Sequence, residues 1–147
     1  MTNLFPARTP HFNHVAMSLP TDLLTGRNKD DITRFWSQIA GFEEIPQMTD
    51  DGKRLVLSCH AVEQFVFLIA DDSPMTCPRL DHYGFSVGSL EDLEAAHARA
   101  AAFRETDDRV DLIDTTVDDY DVLKIHSFYV GYLLPMMLEI QYWEYAT

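Results

Sequence analysis

The sequence predicts an α+β protein made of two copies of one unit, each a strand, a helix and then three more strands. Three observations carry this. The first is a pair of strand patterns with one histidine each: Phe12-Asn13-His14-Val15-Ala16-Met17-Ser18-Leu19, and Arg79-Leu80-Asp81-His82-Tyr83-Gly84-Phe85-Ser86-Val87. His82 follows His14 by 82 − 14 = 68 positions, as Ser86 follows Ser18 and Asp81 follows Asn13, and that offset is close to half of the 147 residues. The second is a helical pattern after each histidine strand, and the third is a run of strand-length apolar segments after each helix. Module 1 is expected over about 12–70 and module 2 over about 79–145, inside one domain spanning 1–147.

Each element has a local reason. Met1 to His11 holds two prolines and no periodicity and reads as an arm. In the first strand Val15, Met17 and Leu19 form one apolar face, so His14 points the other way. Pro20, Gly26 and Asn28 mark Pro20 to Lys29 as a loop. The first helix is expected over Asp30 to Ala40, with Asp30 and Asp31 at its positive end, Ile32, Phe35, Trp36 and Ile39 on one face, and Gly41 as its stop. Phe42 to Thr49, broken by Pro46, reads as an edge strand, and Asp50-Asp51-Gly52 as a turn. Arg54 to Cys59 and Gln64 to Ala70 are strands, and Asp71 to Pro78 joins the halves. In the second half, Ser89 and Asp92 form a loose capping box before a helix over Leu90 to Phe103. Val110 to Val117, Val122 to Val130 and Pro135 to Tyr145 are its strands.

Composition narrows the function classes. The formal net charge of −13 disfavours nucleic acid and anionic membranes as partners. No apolar run is long enough to span a bilayer, and Met1 to Pro10 lacks a signal-peptide pattern, so a cytoplasmic protein is expected. Cys59 and Cys77 lack the C-x-x-C spacing and read as a reduced, buried pair.

The element order, with Asn13-His14-Val15-Ala16, Phe35-Trp36-Ser37-Gln38-Ile39-Ala40-Gly41-Phe42, Asp81-His82-Tyr83-Gly84-Phe85, Phe128-Tyr129 and Leu138-Glu139-Ile140, resembles the vicinal oxygen chelate superfamily. That group includes glyoxalase I, bleomycin-resistance proteins, fosfomycin-resistance enzymes and extradiol dioxygenases. The resemblance covers Phe12 to Tyr145. It implies two βαβββ modules in a partly open, barrel-like mixed sheet with helices outside, and a homodimer. It also implies metal ligands from the first, fifth and eighth strands, which here are His14, His82 and Glu139. Two imidazoles and a carboxylate suit a borderline divalent ion, with Fe²⁺ favoured and Mn²⁺, Zn²⁺ or Ni²⁺ as others. The open coordination positions would take a small substrate with two adjacent oxygens. Glyoxalase I has a fourth ligand, a glutamate, on the fourth strand. Matching Phe67-Leu68-Ile69 to Leu138-Glu139-Ile140 puts Leu68 there, and leucine cannot ligate. The ligand set is therefore closest to extradiol dioxygenases.

The residues also admit plainer readings. A strand histidine is more often a hydrogen-bonded structural residue than a ligand. Against that, Glu139 lies in the apolar stretch Leu133 to Ile140, where a carboxylate without a partner is costly. Tyr129, ten positions before Glu139, matches the spacing of an active-site tyrosine in extradiol dioxygenases and is a candidate hydrogen-bond donor to substrate. His126 has the opposite parity and faces away. His60 is a candidate base or a turn residue, and His11 and His97 read as surface residues. The apolar turn Gly131 to Met137 is expected in a dimer interface or against an apolar ligand. A different class of function is a metal-free protein that sequesters a cationic drug, with Trp36, Tyr129, Tyr132 and Trp143 as its aromatic surface.

Overall fold

The computed structural model describes residues 9–146, so most of the expected N-terminal arm lies outside the described residues. The strands are β1 (His14–Leu19), β2 (Glu43–Glu44), β3 (Arg54–Cys59), β4 (Ala61–Ala70), β5 (His82–Ser86), β6 (Asp111–Asp119), β7 (Leu123–Gly131) and β8 (Met137–Tyr145). The α-helices are α1 (Gly26–Ala40) and α2 (Leu90–Arg104). They build two mixed four-stranded sheets, ordered β1-β4-β3-β2 and β5-β8-β7-β6. In each, the histidine strand runs parallel to the last strand of its unit and the other pairs are antiparallel. This is the α+β fold of two repeated units, and neither sheet closes on itself.

One face of each sheet is covered by helix and the other is open. Met17, Leu19, Leu55, Leu57, Val66 and Leu68 are at most 1% exposed and pack with Ile32, Phe35, Trp36 and Ile39 of α1 in a core that runs on into module 2. Phe35 is the hinge pin between modules, stacked on Tyr132 with ring centroids 4.2 Å apart and edge-on to Phe103 of α2 at 4.9 Å. The apolar turn before β8 is thus used inside the chain: Tyr132 is buried, and Leu133, Leu134 and Met136 pack against the core.

α1 starts a turn earlier than its acidic pair suggests. A 3₁₀ turn, Thr21–Leu24, precedes it, and both Thr25 Oγ1 and Asn28 Nδ2 donate to the Asp22 carbonyl. The residues that read as loop markers therefore tie down a helix entry. Asp31 lies in the second turn, is 5% exposed, and takes its charge partners from Arg34 and Arg109 rather than from the helix dipole. The stop is as expected: Gly41 has φ 70°, and Phe42 N–H donates to the Trp36 carbonyl at 3.2 Å. A Cβ at Gly41 would meet nothing within 4 Å. Gly41→Ala should therefore cost only the left-handed backbone strain, about 1–2 kcal/mol, read as a lower urea midpoint with an unchanged m-value. The expected strand Phe42 to Thr49 shrinks to Glu43–Glu44, because Pro46 opens a turn. Ser89 caps α2 by accepting from Asp92 N–H. Both cysteines are free, Cys59 buried and Cys77 half-buried, and burial pushes the Cys59 thiol up to about 12. No helix among the described residues is long and apolar enough to cross a membrane.

Candidate functional site

The open face of the second sheet gathers the titratable groups. In β5 and β8, Gly84 stands opposite Glu139, and in β7 and β8 Tyr129 stands opposite Glu139. Side chains of His82, Glu139 and Tyr129 therefore share one face by strand alternation. His82 Nε2 lies 3.3 Å from Glu139 Oε2, and the His82 ring meets the Tyr129 ring edge-on at 5.1 Å. Glu139 is 6% exposed, so the expected burial of a carboxylate is met. It is not without partners: Gln141 Nε2 donates to Oε2 at 2.9 Å, and the Tyr129 hydroxyl donates to the same carboxylate. Burial, then that hydrogen bond, raise Tyr129 above the usual phenol range, which keeps its proton in place at neutral pH. A Cβ at Gly84 would stand 3.7 Å from Glu139 Oε2, so the glycine keeps a side chain from packing over the carboxylate.

Both strand histidines are held in the same way. His82 Nδ1 lies 2.8 Å from the Leu80 carbonyl, and His14 Nδ1 lies 2.6 Å from Asn13 Oδ1. The Leu80 carbonyl can only accept, which favours the proton on His82 Nδ1 and leaves Nε2 as the ligand atom, and the Asn13 amide oxygen offers His14 the same arrangement. With Nδ1 turned to the Leu80 carbonyl, His82 Nε2 faces the Glu139 carboxylate, and either a proton on Nε2 or a cation held by both groups completes the pairing. An oxygen behind Nδ1 is the usual outer support of a metal-bound imidazole.

The chain alone does not unite the three expected ligands. His82 and Glu139 meet on the second sheet, while His14 is on the first, stacked on Phe65 at 4.9 Å. Among the described residues no group of three or more His, Cys, Asp or Glu is placed to hold a metal ion. The cause is topological: the two open faces belong to separate sheets that are not joined edge to edge. His14 and His60 instead line a groove of about 690 Å³ between the modules, whose far wall includes Gly84 and Ser86. His60 is the exposed corner between β3 and β4, with φ 78°, which favours the turn reading over a base.

Other expectations sort by face. His126 bonds Glu144 at 2.7 Å, away from Tyr129, and His97 bonds Asp114 at 2.9 Å. Trp36 and Tyr132 are at most 1% exposed and belong to the core, so they cannot form a drug-binding surface, whereas Trp143 is 41% exposed. The residue equivalent to Glu139 in module 1 is Phe67, not Leu68. Ala16 pairs with Phe67 as Gly84 pairs with Glu139, and Leu68 faces the helix, fully buried. Matching apolar triplets slipped the comparison by one residue, and a one-residue slip turns a strand side chain to the other face. Phenylalanine cannot ligate either, so no fourth donor is present at that position. The sequence reading also missed Gln141, whose parity with Glu139 on β8 was the available signal.

No family model matches the chain, and no curated protein matches it in sequence. Solved structures do share its fold. A glyoxalase/bleomycin resistance protein from Albidiferax ferrireducens T118 superposes with a TM-score of 0.61 at 14% identity, covering 89% of this chain and 98% of the other. A fosfomycin resistance protein from Listeria monocytogenes gives 0.62 at 16%, covering 95% and 93%. Lactoylglutathione lyase from Agrobacterium tumefaciens gives 0.63 at 12%, covering 92% and 95%. At these identities the likeness is one of fold. The chain shares the fold of these glyoxalase/bleomycin-resistance-type structures, with its two units running from the His14 strand to β4 and from the His82 strand to β8.

Proposed function

We propose that the chain is a divalent-metal-dependent enzyme acting on a small substrate with two adjacent oxygens, closest in ligand set to extradiol dioxygenases, and that it works as a homodimer. The observation that supports this most is the pairing of His82 Nε2 with the buried Glu139 carboxylate at 3.3 Å. A cation between them would be held by both groups. An imidazole nitrogen and a carboxylate oxygen fit Fe²⁺, and also Mn²⁺, Zn²⁺ or Ni²⁺. When bound, such an ion supplies Lewis acidity and, if it is Fe²⁺, a place for O₂.

The chain's own residues supply the rest. Leu80 fixes the His82 tautomer, Gln141 orients Glu139, and Gly84 keeps the face open. Tyr129 holds a proton beside Glu139 and can pass its hydrogen bond to a substrate oxygen. His14, on the other open sheet, completes the ligand set when the first sheet of one copy covers the second sheet of another. Such a C2 pairing makes two equal sites and covers the exposed apolar side chain of Ile69, 42% exposed on the face of His14. The test is elemental analysis of anaerobically purified protein. About one divalent ion per chain is expected, iron before the others. Protein that holds none and takes up none of the four ions on reloading contradicts the reading.

One observation favours sequestration of a cationic aromatic compound instead. Trp143 and Tyr145, 41% and 66% exposed, stand on the face of Glu139, where a cation could stack. Quenching of Trp143 fluorescence by such a compound in chelator-treated protein would favour that reading.

A further inference from the structure

Basic residues are scarce in this chain, 11 Lys and Arg against 24 Asp and Glu, yet four of them crowd one cleft. Arg27 and Arg34 from α1, Arg99 from α2, and Arg109 from the segment before β6 line a depression of about 660 Å³ between the two helices. It lies on the helix side of the sheets, opposite the face of Glu139. All four are arginines, whose planar forks suit oxyanions.

Their charge is only half met. Asp31 and Asp107 are the carboxylates that engage them: Arg34 Nη2 to Asp31 at 3.0 Å, and Arg109 Nη2 to Asp31 at 2.8 Å and Asp107 at 2.7 Å. Arg27 reaches Asp31 only at 4.0 Å and is 91% exposed. Among the described residues Arg99 meets no carboxylate: Nε and Nη2 donate to the carbonyls of Gln38 and Ile39, which hold the guanidinium without neutralising it. Arg34 is fixed over the Phe103 ring at 5.6 Å, and Arg109 over the Tyr132 ring at 5.3 Å. Among the described residues, no hydrogen bond uses Nη1 of Arg34, Arg99 or Arg109. Gln38 and Thr106 add polar groups to the rim. About two positive charges, one on the fixed fork of Arg99 and one on the exposed Arg27, are left over in a strongly acidic protein.

We propose that the cleft between α1 and α2 binds a small phosphate monoester, its dianionic head held by Arg34, Arg99 and Arg109 with Arg27 at the rim. A dianion matches the surplus charge, and three fixed forks match a tetrahedral group that accepts several hydrogen bonds. The exposed rim leaves the remainder of the ligand in solvent. The chain's net charge favours a free monoester over an anionic bilayer.

The probe is inorganic phosphate, titrated into metal-depleted protein at constant ionic strength against chloride, with binding read by calorimetry and by the melting temperature. Saturable binding is expected for the unaltered chain and for His82→Ala alike, which separates this cleft from the proposed metal site. Arg34→Gln and Arg99→Gln should each raise the apparent Kd about tenfold or more. Arg99 also closes the end of α1, so Arg27→Gln, which loses only one long contact, serves as the variant certain to fold. It should raise the apparent Kd about threefold. No saturable binding, binding unchanged in Arg34→Gln, or loss of binding in His82→Ala overturns the proposal. Co-sedimentation with phosphatidic acid vesicles stronger than the phosphate affinity accounts for would overturn the choice of a free ligand.

Discussion

Glu139→Gln is expected to abolish stoichiometric metal binding while leaving the chain at least as stable as before. Glutamine keeps the shape and an oxygen that can accept from Gln141 and Tyr129, the two donors around the carboxylate. What it removes is a negative charge at 6% exposure. Outer-shell partners of metal ligands typically contribute about 10- to 100-fold to affinity, so loss of a ligand charge should cost about 100-fold or more. The stability arm separates two roles for the same residue. A carboxylate buried to hold an ion is a burden on the metal-free fold, and neutralising it is neutral or stabilising. A carboxylate that pairs structurally with protonated His82 is instead worth about 3 kcal/mol when broken. Metal titration and thermal melts of metal-free protein, run on the same variant, read both arms.

Trp36→Ala should cost about 3–5 kcal/mol, a large part of the stability of a domain this size. Trp36 is fully buried, edge-on to Phe35 at 4.9 Å and stacked on Phe42 at 6.0 Å, so truncation opens a cavity beneath the sheet of module 1. Its indole N–H is buried with no hydrogen-bond partner among the described residues. Trp36→Phe should therefore lose far less than its volume change suggests, about 1 kcal/mol, because an unsatisfied donor leaves with it. Chemical denaturation of the two variants side by side checks the contrast.

Most of the fold was legible because the patterns are local. Alternation in Phe12 to Leu19 set which side of β1 meets α1, Gly41 marked the end of the helix, and β3 runs from Arg54 to Cys59 as read. The errors share a cause: each turned on a contact across the chain. Asp31 looked like a dipole partner, and its true partner Arg109 lies far along the sequence. The turn Gly131 to Met137 looked like an interface, and Tyr132 instead stacks on Phe35. Trp36 and Tyr132 looked like a ligand surface, and each fills the core. The candidate site shows the same limit. The resemblance named His82, Glu139 and Tyr129, and strand alternation sets all three on one face because they are neighbours in one sheet. Nothing in a repeat tells which two open faces meet, so His14 could be assigned a direction but not a partner.

That missing partner is what one measurement addresses most directly. His14→Ala and His82→Ala are each expected to bind no metal. Unfolded together and refolded as a mixture, they should recover it, because a mixed dimer carries one site with both histidines intact. Random pairing gives about one ion for every four chains. A mixture that binds no more than either variant alone contradicts the account of a site shared between two copies.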